Sequence, residues 1–220
     1  MSIYAGVTVI ALATGGLAAK VLSDEYRSFR NIETDGNTAF LKLRHNADLS
    51  FAPWAILTQT AVLEMCNNAL IAPISSVVAP DVYAGIATRC RDTAQEITQQ
   101  VPAWGLSRFS EARAAAALGD IPAAQTALEL SARLAPNEGW IAQKRVLLML
   151  DLPETAAIDT LFVRDLTLLL STQTSRQWVA QLFVARPDHQ DRIASAVETT
   201  PNDTQRRFLS DLRRLNRTGA

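Results

Sequence analysis

The sequence predicts an all-α protein in which an N-terminal transmembrane helix is followed by an irregular array of helical hairpins. Three observations carry this. No side chain from Met1 to Ala19 is charged, and Lys20 is the first that is. Beyond it, segments of about 12 to 20 residues rich in Ala, Leu, Arg, Gln and Glu alternate with proline or turn signals. Alternating β-branched runs, the mark of half-buried strands, are almost absent. With 48% hydrophobic and 20% charged residues, the 220-residue chain has enough apolar matter for one sizeable core or two small ones, which excludes a disordered or collagen-like chain. Its net charge of -1 gives no global field for nucleic acid, so no nucleic-acid partner is expected.

The run Ile3–Ala19 is followed by Lys20, Asp24, Glu25 and Arg27. About 20 helical residues cross a hydrocarbon layer, so residues 1–22 read as a single-pass anchor whose partner is the lipid bilayer. A basic region like that of a signal peptide is missing, and a retained anchor is expected. Ala11, Gly15 and Ala19 recur every four residues, a small-residue stripe suited to packing against another membrane helix. Lys20, Arg27 and Arg30 favour a cytoplasmic body by the positive-inside rule.

Residues 23–101 read as a helical linker and hairpin region. Ser23–Arg30 continues the first helix, Thr34–Asn37 is a turn, and Thr38–Asn46 resumes a helical pattern. Pro53 opens a helix ending near Leu70, and Pro80 opens another through Gln100. Cys66 and Cys90 are symmetric about residue 78, so an antiparallel hairpin brings them level, and a disulfide closing this loop is worth about 3 kcal/mol. That bond places the body in an oxidising compartment such as the periplasm, against the positive-inside count; two buried thiols are the competing reading. Glu64, in an otherwise apolar helix, is read as a solvent-facing or Arg89/Arg91-paired residue.

Residues 102–220 form the third region. At Trp104–Trp140 the sequence resembles a tetratricopeptide repeat, covering one repeat over about residues 104–137. The matching positions are Ala112 and Ala115 in a first helix, Gly119-Asp120 at the turn, Ala124, Leu128 and Ser131 in a second, and Pro136 at its exit. Gly119 permits a left-handed helix ending, small residues let paired helices approach, and Pro136 stops the second helix. The family's large aromatic is displaced, since Trp104 precedes the usual place and Arg108 occupies it. The resemblance implies a concave protein-binding surface, with Trp104, Arg108, Arg113 and Trp140 as partner contacts. A second copy from Gly139 degrades at Leu152-Pro153. Further helices are expected over Ile158–Leu170, Arg176–Ala185, Asp188–Val197 and Asp203–Leu215. The last carries Arg206, Arg207, Arg213, Arg214 and Arg217, while Phe208, Leu209, Leu212 and Leu215 follow helical spacing, so the helix is expected to dock through one face and present guanidinium groups on the other.

None of the common phosphate-loop, dinucleotide, zinc-hydrolase, serine-hydrolase or dithiol motifs occurs. Two Cys and two His do not make a four-ligand Cys/His zinc site, and His45 and His189 have no nearby nucleophile. The expectation is therefore a membrane-anchored protein-binding scaffold, or an accessory or assembly subunit of an envelope complex, partnered by membrane proteins. It is expected to be no enzyme and to need no cofactor. Two other readings stand beside it: an envelope polysaccharide- or peptidoglycan-processing enzyme or its accessory, with Glu64, Asp81 and Asp92 gathered in a groove, and a cytoplasmic adaptor with the first helix buried.

Overall fold

The computed structural model describes residues 15, 16, 18–23, 26, 35–46, 49, 51 and 55–218. Every regular element among them is helical, so the all-α class holds. The membrane span does not. Among the described residues no helix is long and apolar enough to cross a membrane. The described helical positions of the N-terminal segment include two glycines and Lys20, all exposed. The anchor over residues 1–22 is withdrawn. Gly15 and Ala19 of the small-residue stripe are helical and exposed, and Ala11 lies outside the described residues.

The chain divides into two compact units, Met1–Pro102 and Ala103–Ala220. In unit 1, α1 (Gly36–Arg44) begins where a turn was expected, because Asp35 serves as its N-cap. One Asp35 carboxylate oxygen accepts from the Thr38 amide at 3.1 Å and the other from the Thr38 hydroxyl at 2.5 Å. These hydrogen bonds, the hydroxyl's first, hold the Asp35 carboxyl below its ordinary range. Helix α1 packs against α2 (Ile56–Leu70) through Ala39, Phe40 and Leu43. Helix α2 is buried around most of its circumference, Thr58, Gln59 and Asn67 included, so it is the unit's central helix. A 3-10 turn at Pro73–Val77 leads to α3 (Pro80–Gln100), whose Tyr83 hydroxyl donates back to the Leu70 carbonyl at 3.0 Å.

Unit 2 opens with the antiparallel pair α4 (Gly105–Ala117) and α5 (Ile121–Leu134). Gly119 between them has φ +75°, the left-handed ending its turn required. The Asp120 amide donates to Ala115 and the Gly119 amide to Ala116, a Schellman closure. Asp120 then caps α5 by accepting from the Ala123 amide at 3.2 Å. At the opposite end Gly105 is compulsory, since an added Cβ would stand 2.4 Å from the Ala135 Cβ. Ala112, Ala115, Ala124, Leu128 and Ser131 are all buried.

The remaining helices are α6 (Gly139–Leu150), α7 (Ala156–Leu170), α8 (Gln173–Ala185), α9 (Gln190–Glu198) and α10 (Asn202–Thr218), with a 3-10 turn at Pro187–His189 before α9. Thr155 and Thr172 cap α7 and α8. Helix α7 packs on α6, α8, α9 and α5, and α10 packs on α8. The core between them holds a buried ion pair, Arg145–Asp165, whose two bonds measure 2.6 and 2.8 Å. Arg145 also reaches the Ser131 hydroxyl at 3.3 Å, and that hydroxyl donates to the Gly105 carbonyl at 2.8 Å. One network therefore ties α4, α5, α6 and α7 together.

Candidate functional site

The residues singled out in the sequence do not assemble into one site. In unit 1, Cys66 on α2 and Cys90 on α3 form a disulfide with Cα atoms 5.5 Å apart, fixing two helices rather than presenting a reactive thiol. Asp81 and Asp92 are exposed on α3, while Glu64 is half-buried on α2. Arg89 donates to the Leu43 carbonyl at 2.9 Å and so braces α3 against α1.

In unit 2, Trp104 is the half-buried N-cap residue of α4. Arg108 pairs with Glu111 one turn on at 3.0 Å. Arg113 is buried with its guanidinium 5.4 Å from the Phe109 ring, a packing position rather than a surface contact. Trp140, near the start of α6, is 46% exposed and is the one of the four that offers a large apolar face to solvent. No group of His, Cys, Asp and Glu among the described residues could hold a metal ion.

A site not anticipated from the sequence lies between α7 and α9. It is a cleft of about 480 Å³ lined by Glu154, Asp159, Phe162, Val163, Asp191, Arg192, Ser195, Ala196 and Thr199, a size within the common range for ligand-binding clefts. Its floor is built on Arg192, only 11% of whose side chain is exposed. The guanidinium lies 4.7 Å from the Phe162 ring centre, donates to the Met149 carbonyl at 2.8 Å and pairs with Asp159 at 2.8 Å. Its Nε is buried without a hydrogen bond, the Glu154 carboxylate standing 3.9 Å away.

Chemically the cleft is lopsided. Three carboxylates line it against one guanidinium, and that guanidinium is already held by Asp159 and a carbonyl. Glu154 is 67% exposed and Asp191 is exposed as well, so much of the negative charge meets water. Val163 and Ala196 supply apolar wall between the charges. An alkyl stem with a cationic head fits such a surface, its methylenes on the wall and its charge among the carboxylates.

The sequence carried a faint signal for this cleft. Asp188, Asp191 and Arg192 crowd into five residues at the start of α9, and Asp151, Glu154 and Asp159 crowd around the start of α7. Neither cluster has a motif spacing, and only the packing of α7 on α9 brings Glu154, Asp159, Asp191 and Arg192 of these clusters into one cleft. The chain matches no protein-family model, no curated protein and no solved structure.

Proposed function

We propose that the protein is a recognition module: a scaffold of helical hairpins that binds another protein segment through the α7–α9 cleft, without chemistry of its own. The observation that carries this reading is the cleft's composition, with three carboxylates around one guanidinium that the fold already occupies. A basic peptide segment supplies the missing positive charge. The α4–α5 hairpin supports a tetratricopeptide-like reading of the scaffold, through its Schellman turn at Gly119 and its buried small residues. The Cys66–Cys90 bond supports an oxidising compartment, the periplasm in a bacterial cell, as its place of work.

The test is a titration with a short capped peptide bearing two arginines, read by fluorescence anisotropy against an uncharged peptide of the same length. Binding is expected for the arginine peptide alone and should weaken as salt screens the cleft. The variant Glu154→Gln/Asp191→Asn keeps the Arg192–Asp159 pair and should bind at least about tenfold more weakly, the loss of charge-assisted contacts worth on the order of 1.4 kcal/mol. Equal binding of both peptides, or no change in the variant, overturns the proposal.

A further inference from the structure

We propose that the basic segment received by the cleft is helix α10 of a second copy of this chain, so that unit 2 associates with itself head to tail; this rests on the cleft being a site for a cationic segment. Helix α10 has two faces. Phe208 and Asp211 are buried against α8, where Phe208 meets the Phe183 ring edge-on at 5.9 Å and Asp211 pairs with Arg176 at 2.7 Å. On the other side Arg206, Arg213 and Arg217 fall at i, i+7 and i+11, one stripe of an α-helix, and all three are exposed. Leu209, 49% exposed, lies beside the stripe and adds an apolar contact.

The stripe's charge is largely unspent within its own copy. Arg207 takes the close contact with Asp203 at 2.6 Å, leaving Arg206 at 4.0 Å from the same carboxylate, and Arg214 pairs with Asp211 at 2.7 Å. Arg213 and Arg217 make no ion pair among the described residues. The cleft is the complementary half, with exposed Glu154 and Asp191 beside Asp159. Arg206 and Arg213 stand about 10 Å apart along the helix axis and Arg213 and Arg217 about 6 Å, so the stripe presents its charges in a row.

Because the helix of one copy enters the cleft of the next, the two surfaces differ. Each added copy leaves one cleft and one helix open, so association continues past a dimer unless the rotation closes a ring. An opposite-charge contact of this kind is weakened by salt.

Sedimentation velocity of the full chain over a concentration series, at low and at high salt, tests the proposal. The average mass is expected to rise with concentration at low salt and to fall toward the monomer at high salt. Arg206→Glu/Arg213→Glu/Arg217→Glu and, separately, Glu154→Arg/Asp191→Arg should each weaken association at least tenfold, and mixing the two variants should restore it. Arg213→Glu alone, at an exposed position, serves if the triple variant folds poorly by circular dichroism. Wild-type chain that stays monomeric, or variants that associate as it does, overturns the proposal. A synthetic peptide of residues 202–218 separates the two readings. If it binds the cleft while the chain stays monomeric, self-association fails and the cleft stands; if it does not bind and the arginine peptide does not either, both fail. Monomeric chain that binds phosphatidylserine vesicles through the same arginines assigns the stripe to lipid and overturns the proposal.

Discussion

Helices α2 and α3 of unit 1 start at Ala55 and Ala79 with no side chain to cap them, whereas α5, α7 and α8 of unit 2 start at Asp120, Thr155 and Thr172, each of which accepts a hydrogen bond from the first turn. Capping does not divide the units, since Asp35 caps α1 while α4 and α6 start at Trp104 and Glu138 without a side-chain cap, but their interiors do differ. Unit 1 joins α3 to α2 by the Cys66–Cys90 bond, with Arg89 and Tyr83 donating to carbonyls at its edges. Unit 2 carries no cysteine and is joined by guanidinium–carboxylate pairs, Arg145–Asp165 in the core and Arg176–Asp211 under α10. A covalent link acts chiefly on the unfolded chain by reducing its freedom, while a buried ion pair acts on the folded state and penalises loss of either partner. The two units should therefore respond to different perturbations.

The largest loss is expected from Asp165→Ala. It leaves the Arg145 guanidinium buried without its counter-charge, which costs about 3–5 kcal/mol. Hydrogen exchange should show lost protection in α6 and α7 and none in α2 and α3. Replacing the pair together, as Arg145→Met/Asp165→Leu, should recover most of the loss, since the cost lies in the unpaired charge. A deficit as large as that of the single variant would show that the pair itself stabilises the fold.

Next in size is the disulfide. Cys66→Ala/Cys90→Ala, or reduction, removes a link closing a 24-residue separation and should cost about 3 kcal/mol on the chain-entropy account. Exchange should rise in α2 and α3 while α4 to α9 stay protected. Cysteines that alkylate in denatured, unreduced protein would show that the bond does not form, and would remove the support for an oxidising compartment.

The smallest effect belongs to Asp35. Its folded carboxyl is held below 3.8 by the Thr38 hydroxyl and amide, so its contribution is fully present above that value and is lost as the pH falls through the lower, folded one. Exchange at the Thr38 amide should accelerate only in that acid range, and Asp35→Ala should abolish the dependence. A transition near neutral pH would assign it to another group.

Much of the helix inventory was legible because its signals are local. Proline at a helix start, glycine past a helix end and apolar residues at helical spacing act within a few residues of the chain. Gly119 shows this, since its positive φ follows from the requirement of a left-handed ending. Asp35 shows the limit: the same residues that mark a turn also cap a helix, and α1 begins inside the expected break.

By itself, the sequence determined the all-α class, the main helical segments, the glycine turn and the two-faced pattern of the last helix, all consequences of backbone sterics and 3.6-residue periodicity. Tertiary structure alone decided that Arg145 meets Asp165 across 20 positions, that Gly105 must admit Ala135, and that Glu154, Asp159, Asp191 and Arg192 share one cleft. These contacts join residues on different helices. Which helix faces which is set by the packing of whole surfaces, and no local pattern of residue types encodes it.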